Sequence, residues 1–204
     1  EPNPLEVAQA RAQTLLDRYG VVAKAAAQAE GLPGGFGAVY GTLRQLEELG
    51  RARRGHFVEG LAGAQFALPG AVDRLRAARD AEEPEPVVLA TVDPANPYGV
   101  LLPWPETSPE AGKPRRAAGA RLVLAGGQPV IYLDTTGGAT TFPAAEDEHL
   151  LAAALAALER DARARRRDLH LERIDGVAAR NAPQAAIFQA RGFVADYRGL
   201  SLVV

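Results

Sequence analysis

Three short helical periods, each stopped by a glycine and followed by a glycine-turned pair of strand-like runs, set the strongest constraint on this chain. Leu5, Ala8, Ala12, Leu15, Leu16 and Tyr19 recur at helical spacing, and Gly20 stands where a helix commonly ends. An Ala-rich stretch from Val22 to Glu30 predicts a second helix, closed by the turn Gly31-Leu32-Pro33-Gly34-Gly35. Phe36, Val39, Tyr40, Leu43, Leu46 and Leu49 give a third helix ending at Gly50. The runs 53–58 and 64–68, joined by Glu59-Gly60-Leu61-Ala62-Gly63, then read as a hairpin that Pro69 closes.

Helix, helix, helix and hairpin is the winged-helix plan, in which the third helix can enter a major groove and the hairpin can lie along the backbone. The expected wing is basic, with Arg51, Arg53, Arg54 and His56 at its start. On alternating strand geometry Arg51 and Arg53 should share one face and Arg54 the other. The expected outward face of the third helix is Gly37, Ala38, Gly41, Thr42, Arg44, Gln45 and Glu48, with Arg44 its single positive charge. Such small residues suit packing at least as well as base reading. The wing arginines equally suit a solvated strand edge, where charge prevents edge-to-edge pairing.

Beyond a helix at about Ala71 to Arg79, the segment Glu82-Glu83-Pro84-Glu85-Pro86 is acidic and Pro-rich, and the periodicity changes after it. We therefore expect an α+β protein: a winged-helix module over 1–80, a hinge near 81–86, and a mixed, β-rich module over 86–204. In the second module, Val87–Val92 reads as a buried strand and 120–124 with 129–134 as a hairpin. A strand over 139–142 and an amphipathic helix from Glu146 to about Arg167 follow. The helix begins with acids and ends among Arg160, Arg163, Arg165, Arg166 and Arg167, a polarity that suits its dipole. A strand over 169–174, a turn at Asp175-Gly176, a helix over 183–191 and a last strand over 198–204 complete the module.

Absences narrow the chemistry. No phosphate-cradling Gly-x-x-x-x-Gly-Lys-Ser/Thr run and no Asp-Glu pair at a strand end is present, so no ATPase motor lies in these residues. The three His are far apart and there is no Cys, so no metal site is expected, and a reducing, cytoplasmic setting is. No apolar run reaches the roughly 18 residues that a membrane helix needs. The lack of any Met predicts that the chain is cut from a longer polypeptide. Its net charge of −2 means that any nucleic-acid surface must be a local patch.

One further cluster combines a carboxylate, an amide and two aromatics in a Pro-braced segment: Asp93, Asn96, Tyr98 and Trp104. Tyr98 and Trp104 could stack on an unpaired base while Asp93 activates water, as base excision requires. The same residues suit turns at Asp93-Pro94 and Asn96-Pro97 with the aromatics in the core, which is the reading their composition favours.

Several runs resemble, in order, the C-terminal region of large helicase-related (Lhr-type) superfamily 2 DNA helicases. They are 16–22 (LDRYGVV), 30–36 (EGLPGGF), 43–50 (LRQLEELG), 53–61 (RRGHFVEGL), 63–76 (GAQFALPGAVDRLR), 93–99 (DPANPYG) and 172–176 (ERIDG). The resemblance implies an accessory DNA-interaction and assembly module of an ATP-dependent, 3′-to-5′ DNA repair helicase. The motor, with its ATP and Mg, would lie in upstream domains of the same polypeptide. It further implies DNA as a partner, possible self-association, and two alternatives: a glycosylase-like base-excising hydrolase, or a purely structural oligomerisation domain.

Overall fold

The computed structural model describes residues 3–80 and 85–204. Two compact units result, Glu1–Glu82 with Pro97–Pro103 and Glu83–Asn96 with Trp104–Val204. The Glu82-Glu83-Pro84 part of the expected hinge lies outside the described residues. That 97–103 belongs with the first unit has no signal in local sequence, because the contacts that place it, such as Leu101 against the first core, are long-range.

In the first unit, α1 (Pro4–Tyr19) starts where Asn3 accepts a hydrogen bond from Leu5 N–H at 3.0 Å, with Pro4 in the first turn, which lacks an intrahelical partner anyway. It ends at Gly20, whose φ of 68° a side chain would resist and whose N–H reaches Leu16 O at 2.8 Å. The second helix is shorter than its composition suggests. Val21–Val22 (β1) pairs with Phe66 and Ala67, and α2 spans only Lys24–Ala29. Val22, which reads as the start of that helix, and Val21 before it gain more by completing the sheet. Helix α3 (Gly37–Glu48), β2 (Arg53–Gly55), β3 (Gln65–Ala67) and α4 (Pro69–Arg79) follow, and the small sheet runs β1-β3-β2. Thr42, expected on the outward face of α3, is buried at 8% exposure. Ala12, Leu15 and Leu16 meet Val39, Leu43 and Phe66 in one core. Burying each such side chain contributes roughly 1.5–3 kcal/mol relative to exposure.

The second unit holds a six-stranded sheet ordered β10-β9-β7-β6-β5-β4 and a three-stranded sheet ordered β11-β12-β8. Strands β4 (Val87–Ala90), β5 (Arg121–Ala125), β6 (Gln128–Leu133) and β7 (Gly138–Thr141) form an antiparallel meander, and α5 (Glu148–Arg165) follows a short 3-10 turn at Pro143–Glu146. Asp147 caps α5 by accepting from His149 and Leu150 N–H. Leu151, Leu155 and Leu158 of α5 pack with Val123 and Ile131 in the sheet's core. The single strand expected over 169–174 is two. β8 (Leu169–Leu171) joins the small sheet and β9 (Arg173–Ile174) pairs in parallel with β7, the chain switching sheets at Glu172, whose N–H donates to Gly137 O at 2.7 Å. β10 (Val177–Ala178), α6 (Ala185–Ala190), β11 (Val194–Ala195) and β12 (Leu200–Leu202) complete an α+β fold. No helix among the described residues is long and apolar enough to cross a membrane.

Candidate nucleic-acid interface

The wing is short and tied down from inside. The chain leaves β2 at Gly55 and would be a free loop but for Gln65, which is 1% exposed on β3. Its Oε1 accepts from Phe57 and Val58 N–H, and its Nε2 donates to Val58 O and Leu61 O, all at 2.9 Å. All four bonds an amide of this kind can make are present, which is what a buried amide requires. The sequence gives no signal for this role, since a lone Gln in a strand reads as an outward-facing polar residue. Beside it, Gly55 lies under the ring of Phe57, where an added Cβ would sit 3.1 Å from the ring.

On this fixed frame the basic residues separate into two groups. Arg44 of α3, Arg54 and His56 line one cleft of about 660 Å³ between helix and wing. Its walls also carry Glu47 and Glu48, and Arg44 pairs with Glu48 at 3.3 Å with both side chains more than half exposed. Exposed pairs of this kind contribute little to stability and exchange partners easily. Arg51 precedes the strand and borders a different cleft, against Gln13, Gln45 and Leu49. Arg53 and Arg54 are both exposed on β2, an edge strand of the sheet. The expected pairing of Arg51 with Arg53 on one strand face is therefore replaced by Arg44, Arg54 and His56 around one cleft, because Arg51 lies outside the pleat.

The segment 93–104 is divided between the units. Asp93 Oδ1 accepts from Ala95 N–H at 2.8 Å, closing an Asx turn. Asn96, 2% exposed, donates to Thr91 O at 2.9 Å, while Arg116 donates to the carbonyls of Asn96 and Asp93. Trp104 stacks on Phe142 at 6.2 Å between centroids and 12° between planes, and meets Tyr132 edge-on at 6.0 Å. Tyr98, in the first unit, is half-buried, and burial pushes its phenol pKa up. Replacing Asp93 by Ala should cost about 1 kcal/mol of stability, the worth of one hydrogen bond. Asp93→Asn, which keeps the accepting oxygen, should leave the thermal midpoint within a degree or so, as calorimetry would show.

Among the described residues no group of three His, Asp or Glu side chains converges as a metal site would require.

The winged-helix domain model of large helicase-related proteins matches residues 1–87. The chain is 45% identical over 183 residues to a protein of Mycolicibacterium smegmatis described as an Lhr helicase and probable uracil glycosylase, covering 87% of this chain and 12% of that one. It is 39% identical over 207 residues to an Escherichia coli protein described as an Lhr helicase/uracil glycosylase, covering 97% of this chain and 13% of that one. The chain thus spans about an eighth of the length of these curated relatives.

Proposed function

We propose, from the premise that this chain belongs to the large helicase-related (Lhr) family and corresponds to its C-terminal region, that it is an accessory module contributing a phosphate-contacting wing to a DNA repair helicase. The observation that carries this reading is the wing itself. Arg53 and Arg54 are exposed on an edge strand whose loop is locked by Gln65, so the cations are presented on a preorganised frame. Preorganisation matters because binding otherwise costs the ordering of each flexible side chain and loop. Arg44 and His56 share the cleft with Arg54 and extend the positive surface onto α3.

Phosphate contact without base reading is the mode that fits. Of the exposed positions of α3, Gly37, Ala38 and Gly41 have nothing with which to read a base edge, and of the others, Arg44, Gln45 and Glu48, Arg44 and Glu48 are paired with each other. Replacing Arg51, Arg53 and Arg54 together by Ala should weaken duplex binding by about the same factor for any two unrelated sequences. Fluorescence anisotropy on both duplexes checks this, and a loss confined to one sequence would point to base readout instead. ATP, Mg and the translocating motor belong, in this reading, to other domains of the same polypeptide, which are also the module's partners.

A second reading, base excision, is supported by the descriptions of both relatives as uracil glycosylases. In this chain Asp93 supports it to the extent that the Asx turn engages only Oδ1. Incubation of the chain with a uracil-containing oligonucleotide, followed by alkaline cleavage, tests it. Excision lost in Asp93→Asn, with the fold intact, would give Asp93 a role in chemistry; excision unchanged would leave it a turn residue.

A further inference from the structure

We infer that the second unit carries its own phosphate-binding site, in the cleft between the end of α5, β5 and β8. This cleft, about 270 Å³, is lined by Arg121 of β5, Arg165 and Arg167 at the end of α5, and His170 of β8. Its size is just below the roughly 300–1,000 Å³ typical of small-ligand sites, room for a group as small as phosphate.

Three nitrogens in these lining residues are shut from solvent without a hydrogen-bond partner among the described residues: Nε of Arg121, Nε of Arg165 and Nε2 of His170. Buried unsatisfied polar atoms are rare, and each calls for an explanation. That three belong to the lining of one small cleft gives them a common one. A guanidinium has only donors, so its missing partner must be an acceptor, and the Nε edge with its neighbouring Nη is the fork that takes two oxygens of an oxyanion. The guanidinium donors come from separate elements, Arg121 from β5 and Arg165 from α5. That distribution suits the oxygens of a tetrahedral phosphate better than a planar carboxylate, which one fork would satisfy.

Three arginines, Arg121, Arg165 and Arg167, line the cleft against two acids, Asp134 and Asp168. The two acids that line the cleft are engaged in holding backbone. Asp134 accepts from Thr136 N–H, Thr136 Oγ1 and Gly138 N–H, and Asp168 accepts from Val204 N–H. Arg165 is paired with Asp161, but among the described residues no carboxylate lies within ion-pair distance of Arg121 or Arg167. The carbonyl end of α5, which would repel an anion, is already capped by Arg166 and Arg167 N–H.

His170 is oriented beside these arginines by a relay. Hydrogen bonds from the Ser201 hydroxyl and from the Arg198 and Gly199 N–H groups hold the Asp196 carboxyl below its usual range. Asp196 is then an acceptor only, so Ser201 donates to it at 2.7 Å and accepts Nδ1–H of His170 at 2.8 Å. Nε2 is the ring nitrogen left without a partner, shut from solvent in a residue that lines the cleft.

The site is independent of the wing, which lies in the other unit, and it takes a phosphate either as a bridging phosphodiester of DNA or as a free monoester. The test uses the whole chain with Arg167→Gln, an exposed position where the fold is not at risk, and Arg121→Gln, each compared with the parent by circular dichroism. Probes are inorganic phosphate, read by phosphorus NMR line broadening and by the thermal midpoint, and oligo(dT) with free 5′-hydroxyls, read by anisotropy. Acetate serves as the planar-anion control. A phosphodiester ligand predicts that each variant weakens oligo(dT) about tenfold, the worth of one charged hydrogen bond, and flattens the salt slope by roughly 0.7 for each phosphate no longer neutralised. A monoester ligand predicts loss of inorganic phosphate binding with oligo(dT) unchanged. Either result supports the site. Phosphate and oligo(dT) binding that are both unchanged in folded Arg167→Gln, or acetate binding as well as phosphate, would overturn it. If the wing variant already abolishes oligo(dT) binding, the inorganic phosphate arm still decides.

Discussion

Gln65→Leu should lower the unfolding free energy of the first unit by about 3 kcal/mol, although the two side chains are similar in size and Leu is the more hydrophobic. Leu keeps the β3 backbone pairing but removes four hydrogen bonds at once. Each is worth about 0.5–1.5 kcal/mol net. The backbone groups of Phe57, Val58 and Leu61 that lose a partner recover part of this by meeting water, since Glu59 and Gly60 beside them are exposed. The expected total is therefore below the simple sum. Because the bonds define the wing loop, the same change should raise hydrogen exchange at Phe57 and Val58 far more than in α1. Urea unfolding followed by far-ultraviolet circular dichroism measures the first effect and exchange mass spectrometry the second. A Gln65→Leu variant as stable as the parent, with unchanged exchange at 57–58, would show that the wing is held by something other than this amide.

Gly176→Ala should be among the most damaging single methyls in the second unit. The β9–β10 hairpin turns through Asp175 and Gly176, at φ of 51° and 83°. This is the positive-φ pair that tight hairpins need, and Asp-Gly supplies it. An Ala there costs about 1–2 kcal/mol for the left-handed backbone alone. In addition its Cβ would stand 2.2 Å from Glu110 O and 2.7 Å from Glu110 C, both backbone atoms, so one of two chain segments must move. Movement at 175 would break the carboxylate bonds from Asp175 to Thr141 N–H at 2.7 Å and to Gln184 at 3.1 Å. Together these predict a loss of roughly 3–4 kcal/mol, in the range that marks a backbone clash rather than a surface change. Trp104 is the single tryptophan and packs in this unit on Phe142, so its emission follows the unfolding in urea. A midpoint equal to the parent's would mean that the loop at Glu110 gives way freely.

What is legible in the sequence is punctuation. Gly20 and Gly50, the Gly126-Gly127 and Asp175-Gly176 turns, and Pro69 mark ends that local geometry dictates, and the elements lie between them as expected. What is not legible depends on partners distant in the chain. Val22 looks helical beside an alanine run until β3 offers it and Val21 a ladder. The break of 169–174 at Glu172 follows from Gly137 O, thirty-five positions earlier, and the relay from His170 to Ser201 to Asp196 joins two strands of one sheet. The arginines of α5 are readable as dipole complements, yet the buried Nε of Arg165 and its cleft-mate Arg121 depend on β5 crossing beside the helix end. In the candidate wing the residue types can be read and their grouping cannot. Arg44, Arg54 and His56 share a cleft and Arg51 does not, because the strand begins only at Arg53.

The salt dependence of duplex binding tests the proposed phosphate contacts of the wing most directly. Each phosphate neutralised releases condensed counterions, so log K falls with log salt by about 0.9 per phosphate on B-form DNA. With Arg51, Arg53 and Arg54 replaced by Ala, the slope measured by anisotropy between 50 and 200 mM salt (on the order of the physiological range) should flatten by roughly 0.9 for each phosphate no longer neutralised, whatever the duplex sequence. A slope and an affinity both equal to the parent's would contradict the account, and would leave the wing as a locked edge strand whose arginines only face water.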